Sequence, residues 1–595
     1  MYWPFTSLPR FLSPLTNWRD ILLIAHMRSI RRSRLLWLAL FAGIGPMSPE
    51  ARAIVTYGTG TNTGTVPYKI GSYSLDNYEG SFDTATPNNG YTGTPITSTM
   101  MLTASHIFPA TTNVPFFYNN GTATTTSYAL EVVASLDDLA AWQVEPSQPS
   151  FSLVAPIYTG NSETSSPMVV DLGRGYARGP VAPGGGGWSW GGGQGPLSWG
   201  TNTVTAVPTD TQLGTGGGPF GGDFLQTDFD NNSSNPDESM VTPFDSGGGV
   251  FVDVNGTYEL DGVNSFFGVR IPTGGTDYAY EVTDVNGNEI GATLDDTKGY
   301  YILEGYNSQN QPVVAPITTD TPESSFATRI SSKQNFVGLV DGTIPASQAA
   351  SHPISDDGLL SLYSNLTTGA ITGGAQISIG PDENATLQIA TGSATSAITS
   401  LAISSGSTLD ITNNKMTIAY GEPANDPISS IAAWIVSGYA HGSWTGLGIT
   451  STTAQTNAGS YGIGYADSAD PGNPAGLAAD TVEIMYTLLG DANLDGKVNG
   501  IDFNLMATNF NKAVTNGWDE GDFNYDGKVN GSDFVLLANN FNQFASQSGV
   551  SAADLAALDA FSTANGLATS LPEPALAGIM LLTGLGVFSR RRSHR

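Results

Sequence analysis

The stretch Pro243-Phe244-Asp245-Ser246-Gly247-Gly248-Gly249 sets a serine between an aspartate and three glycines, ahead of the apolar run Val250-Phe251-Val252. Glycines there let the backbone turn tightly and leave the Ser246 hydroxyl accessible. The same residue types also suit an ordinary hairpin turn. A nucleophilic serine needs a base, and the base needs an orienting carboxylate. Of the five histidines, His26 and His594 lie near the ends, which leaves His106, His352 and His441. His106 closes the run Met100-Met101-Leu102-Thr103-Ala104-Ser105-His106. Asp138, with Asp137 as its competitor, leads into Leu139-Ala140-Ala141-Trp142-Gln143-Val144. The expected chemistry is acyl transfer. His106 takes the Ser246 proton, and Asp138 holds the imidazole and stabilises its cationic form. No cofactor is expected for this chemistry.

A second constellation is acidic. Asp491, Asn493, Asp495, Asn499 and Asp502 occupy positions 1, 3, 5, 9 and 12 of a loop with glycine at position 6, and Lys497 offers its carbonyl at position 7. Asp522, Asn524, Asp526, Lys528, Asn530 and Asp533 repeat the pattern. Oxygen ligands at this spacing around a sharp glycine turn suit Ca²⁺, so two calcium sites are expected.

The surroundings of these groups are β-type. At 595 residues, with charged residues only 13% of the chain, about three or four units rich in strands and loops are expected. The net charge of −31 argues against nucleic acid as a partner, because such binding needs basic patches. The absence of cysteine excludes disulfides and thiol chemistry. Arginines before Leu35-Leu36-Trp37-Leu38-Ala39-Leu40-Phe41-Ala42, followed by Ala51-Arg52-Ala53, read as a secretory signal peptide over 27–53. Short strands and turns fill 54–341, with a glycine-rich surface insert within 181–200. Residues 342–485 read as stacked short strands, a small β-solenoid without a clear helix. The calcium module spans 486–545. An Ala/Ser-rich linker, with one short helix around 552–564, fills 546–570. Residues 571–595 form an apolar tail ending in arginines, which reads as a membrane anchor or sorting segment.

Several of these segments resemble known families. Met101–His106, Asp138-Leu139-Ala140 and Asp245-Ser246-Gly247-Gly248 resemble the three motifs that carry the nucleophile, base and carboxylate in chymotrypsin-like serine proteases. Ser198-Trp199-Gly200, Glu259–Phe266 and Ser325–Ser331 resemble further segments of that family, in order. The resemblance implies a double β-barrel, a peptide or protein substrate, and an oxyanion hole formed by the amides of Phe244 and Ser246. It also implies a specificity pocket built by Met240, Ser265, Phe266 and Phe267, with an apolar or undefined preference. Phe244 stands where the family has glycine; a positive φ there is costly for phenylalanine. A rival expectation follows, that of an inactive protease-fold surface or matrix protein acting in binding. Cleavage after Ala53 would expose Ile54-Val55, and such a terminus pairs, in the family, with the aspartate before the serine, here Asp245. The calcium loops, with Asp at position 12, resemble dockerin type I repeats, which implies a cohesin-like partner. Leu571-Pro572-Glu573-Pro574, the apolar run and the terminal arginines resemble PEP-CTERM sorting signals. Together these imply an exported protein, extracellular or attached to a Gram-negative-type envelope.

Overall fold

The computed structural model describes residues 54–567 except 57–61, 63–64, 83–90, 108–113, 123, 177, 182–187, 191–195, 214–221, 230–234, 243, 270–291, 294–299, 307–311, 318–322, 382–383, 515–516 and 542–551. The signal peptide and sorting tail expected at the two ends, and much of the glycine-rich insert, lie outside the described residues. No described helix is long and apolar enough to cross a membrane.

The chain is mainly β and opens with two closed six-stranded barrels. The first is made by β1 (Gly80–Phe82), β2 (Thr92–Pro95), β3 (Met100–Ala104), β4 (Val114–Tyr118), β5 (Thr126–Leu136) and β6 (Leu139–Val144). They pair in the order β5-β4-β1-β2-β3-β6, and β6 closes on β5. Met101, Phe116, Leu130 and Trp142 fill its interior. The second is made by β7 (Met168–Gly173), β8 (Ser198–Ala206), β9 (Phe224–Phe229), β10 (Gly249–Val254), β11 (Thr257–Val269) and β12 (Glu323–Arg329). Val169, Val204, Leu225 and Val250 pack inside it. β-Branched and aromatic side chains at alternate positions suit a pleated surface that is buried on one face. A short helix, α1 (Gln334–Val340), follows β12.

The next stretch is solenoid-like, as expected. Leu359–Leu362, Gln376–Ile379 and Ser400–Ile403 stack in parallel, with Leu360 opposite Ile377 and Ile377 opposite Leu401. A second face stacks Leu366, Leu387, Leu409 and Ile449. Each rung buries apolar residues against the same positions of the next, the logic of a quasi-one-dimensional core. The first rung continues the first barrel: Leu360 pairs antiparallel with Leu136 of β5.

One expectation fails here. The solenoid region contains a helix, Ile428–Tyr439, which buries Ile428, Ile431 and Ile435; their helical spacing is legible in the sequence. The helix expected around 552–564 is present as Ala552–Asn565. Its Phe561 ring packs on Phe503, Phe510 and Phe534, so it belongs to the calcium module.

Candidate active site

β3 and β6 run antiparallel, with Ala104 opposite Leu139. This pairing puts the residues just after β3 and just before β6 at the same barrel end. His106, in the single turn Ser105–Ile107, therefore meets Asp138. His106 Nδ1 lies 2.8 Å from both carboxylate oxygens of Asp138. The His106 amide donates to the same carboxylate at 2.9 Å, and the Ser105 hydroxyl is 3.3 Å away. Asp138 has no exposed surface. A buried carboxylate surrounded by donors accepts rather than donates, so Nδ1 carries the proton and Nε2 is left as the base. His106 Nε2 lies 2.9 Å from Ser246 Oγ, which comes from the loop before β10 in the second barrel.

Ser246 has one hydroxyl proton and two acceptors in reach. The second is the Ser265 carbonyl at 3.3 Å; the shorter contact, to His106, is the stronger. The arrangement can move a proton from Ser246 to His106 while Asp138 supports the imidazolium. Asp137, the competing carboxylate, turns away and is paired with Lys333. His352 hydrogen-bonds the Gln348 carbonyl, and His441 sits in a left-handed turn; neither joins this group.

The nucleophile loop is held from behind. The Asp245 side chain is fully buried and accepts from the Thr242 amide at 2.8 Å, the Thr242 hydroxyl at 2.7 Å and the Gly175 amide at 2.6 Å. The Ile54 amide also bonds to it, and burial pushes its pKa up to about 7. Asp245 is drawn inward in this way between Phe244 and Ser246. The glycines allow close approach: a Cβ on Gly248 would lie 1.9 Å from the Leu172 carbonyl oxygen, and Gly247 has φ 87°. Phe244 adopts φ 75°, the value that sequence reasoning marked as costly. Its ring is edge-on to Tyr176 and tilted against Tyr91.

The pocket residues divide. Ser265 is buried, and its hydroxyl donates to Asp138 Oδ2, so this side chain serves the carboxylate. Phe266 stacks on Phe326, with ring centroids 4.7 Å apart, and meets Phe224 edge-on, in a cluster separate from the one that holds Leu225 and Val250. Phe267 is half-buried beside it, opposite Ser325. Met240 is fully buried and pairs with Val55. Sequence reasoning missed Glu79. Its carboxyl accepts from the Thr94 hydroxyl at 2.6 Å and from the Gly249 amide at 3.2 Å, tying the first barrel to the nucleophile loop. Burial raises its pKa to about 8. A lone glutamate between tyrosine and glycine gives no sequence signal for this role.

The two acidic loops fold alike. Asp491 accepts from the Asp495 and Gly496 amides, and Asp502 from the amides of Ala492, Asn493 and Asn499. Asp522 and Asp533 repeat these bonds with Asp526, Gly527, Phe523, Asn524 and Asn530. Asn499 and Asn530 each cap the following helix through a capping box with Asp502 and Asp533. Lys497 and Lys528 donate their amides to the Asp495 and Asp526 side chains. Burial raises Asp491 to about 6 and Asp502 and Asp533 to about 7. Among the described residues no three carboxylate, histidine or cysteine groups converge closely enough to hold a metal by themselves. A cation held by either loop would also need asparagine and main-chain oxygens, the mixed oxygen set that Ca²⁺ accepts.

Residues 489–542 match the family model described as Dockerin type I domain. Domains of this type usually bind Ca²⁺ and cohesin partners. No curated protein matches the chain.

Proposed function

We propose that the chain is an exported serine endopeptidase with a chymotrypsin-like double barrel, acting through an acyl-enzyme on Ser246. The observation that supports this best is the hydrogen-bonded line Asp138–His106–Ser246 across the two barrels. Ser246 Oγ attacks the peptide carbonyl as His106 Nε2 takes its proton. A C–O bond forms, and charge collects on the carbonyl oxygen. The amides of Phe244 and Ser246 receive that charge, each donor contributing roughly 10²–10³ in rate. The proton on His106 passes to the leaving amine as the C–N bond breaks. Water then repeats the sequence in reverse roles, using His106 as base, and frees Ser246. Met240, Phe266 and Phe267 are proposed to shape an apolar preference.

In the same reading the two loops at 491–502 and 522–533 each hold one Ca²⁺, and the module engages a cohesin-like partner outside the cell or at its envelope. The deciding experiment is reaction with a serine-directed fluorophosphonate probe. Labelling that disappears in Ser246→Ala supports the endopeptidase. Correctly processed protein that takes no label supports instead a binding scaffold that has lost its chemistry.

A further inference from the structure

We infer that the first rung of the solenoid is part of the machinery that positions Asp138, through the buried cluster Asp137–Lys333–Asp356. This inference rests on the endopeptidase reading above. Asp137 is the residue before Asp138, with φ 53° in the turn between β5 and β6. Its side chain is fully buried. Lys333 Nζ lies 2.5 Å from Asp137 Oδ2 and 2.8 Å from Asp356 Oδ2. Lys333 is itself fully buried, in the turn Ser331–Lys333 that follows β12. Asp356 belongs to the solenoid and accepts from the Gly358 amide at 2.9 Å.

The cluster joins three parts of the chain at one point: the first barrel, the segment that leaves the second, and the solenoid. It is also tied through the main chain. The Asp137 amide donates to the Leu359 carbonyl, and the Leu359 amide returns to Asp137 Oδ1, both at 3.0 Å. The Asp137 carbonyl accepts from the Ser105 hydroxyl at 2.6 Å. One turn thus touches the residue before His106 and carries the residue that orients it. Space around the cluster is closed. A Cβ on Gly358 would fall 1.3 Å from Asp137 Oδ1, and one on Gly222 would fall 2.7 Å from Lys333 Nζ.

An ion group that served only stability would be an unusual choice, because desolvating three charges costs about as much as their attraction returns. Its geometric effect is specific. It fixes a left-handed residue next to Asp138 from the solenoid side, and a displacement of about 1 Å in an orienting group is enough to slow catalysis by 10². Asp137, Lys333 and Asp356 are therefore positioning residues, and the solenoid is a component of the site rather than a spacer.

The test uses the full chain. Asp356→Asn removes one charge without changing shape, and Gly358→Ala keeps every charge but pushes on Asp137, so one remains if the other does not fold. Leu387→Ala, in the next rung of the solenoid, serves as a control of comparable destabilisation. Two readouts are taken below the melting temperature: the rate of fluorophosphonate labelling, and the ring-nitrogen NMR shifts of His106 in histidine-labelled protein, assigned with His106→Gln. Asp356→Asn or Gly358→Ala should label at least tenfold slower and move the His106 Nδ1 shift, whereas Leu387→Ala should do neither. Unchanged labelling and unchanged shifts in folded Asp356→Asn and Gly358→Ala overturn the inference. If the unaltered protein takes no label, the endopeptidase reading fails, and the His106 shifts alone decide whether the cluster positions Asp138.

Discussion

The Phe244 ring meets Tyr176 edge-on with centroids 5.0 Å apart, while the Phe244 backbone holds φ 75°. The left-handed region costs a side-chain-bearing residue about 1–2 kcal/mol, and an edge-to-face aromatic pair returns about 0.5–1.5 kcal/mol. The ring is therefore what offsets the strain at the residue whose amide is proposed to face the oxyanion. Glycine removes both quantities; alanine keeps the strain and loses the ring. Phe244→Gly should label with fluorophosphonate within a few-fold of the parent rate. Phe244→Ala should be slower than Phe244→Gly. Phe244→Pro, which has no amide hydrogen and a fixed negative φ, should not label. Alanine faster than glycine would remove this account of the loop.

Ser265 donates to Asp138 Oδ2, the oxygen that His106 Nδ1 also reaches at 2.8 Å. A hydrogen bond to a buried charge contributes about 1.5–3 kcal/mol, and part of it is lost from the imidazolium-forming step when the carboxylate is less well held. Ser265→Ala should lower kcat for a peptide substrate by roughly tenfold, with little change in KM, since the deleted group is spent on Asp138. A loss confined to KM would place Ser265 in substrate binding, as its sequence position first suggested.

The barrels and their site were legible because local motifs coincide with strand ends. Met100–Ala104 and Leu139–Val144 are apolar runs whose pairing alone brings His106 to Asp138. Asp138 was preferred to Asp137 on its motif alone; what draws Asp137 away, Lys333 and Asp356, is distant in sequence and recruited only on folding. The bond from Ser265 to Asp138 was not legible, because it depends on the bulge between Asn264 and Phe266 that sets which way the Ser265 side chain faces. Glu79 and the aromatic clamp on Phe244 are tertiary facts without a periodic trace. The helix Ile428–Tyr439 could have been read; its three isoleucines were outweighed by the Ser, Gly and Thr content around it.

Asp245 gives a pH dependence with a definite sign. Burial raises its carboxyl from 3.8 to about 7 while the Ile54 amide bonds to it. A raised value means that the folded chain keeps a proton the unfolded chain has released. Stability is then fully present below about pH 4 and declines up to about pH 7, by at most about 1.4 kcal/mol per unit from this group. Asp245→Asn should flatten the decline, measured by denaturant unfolding across that window. An ammonium at a new Ile54 terminus would pair with the carboxylate and lower its pKa, so processed protein should lose this slope and gain labelling. N-terminal sequencing that finds an active form starting elsewhere than Ile54 ends the processing idea.

Calcium removal should be felt beyond the two loops, because the module is bonded to the end of the solenoid. Tyr525, in the second loop, donates its hydroxyl to the Ile463 carbonyl at 2.9 Å and accepts from the Ile463 amide at 3.0 Å. Trp518, between the loops, is fully buried and donates Nε1 to the Asp491 carbonyl at 2.7 Å. Trp518 and Tyr525 rings are 5.5 Å apart, and Tyr525 continues to Tyr439 of the solenoid helix at 4.7 Å. The second loop thus carries a left-handed Tyr525 whose side chain is plugged into the Tyr461–Asp467 strand. If Ca²⁺ is held there as proposed, it fixes that loop, and a chelator should lower the melting temperature of the solenoid as well as of the module, in one coupled transition. Tyr525→Phe keeps the ring but orphans the buried Ile463 groups, a cost of about 1–3 kcal/mol; it should melt several degrees lower and respond less to chelation. Differential scanning calorimetry of the full chain, with and without Ca²⁺, reads both effects. Two independent transitions, of which only one moves with Ca²⁺, would mean that the module hangs from the solenoid without supporting it.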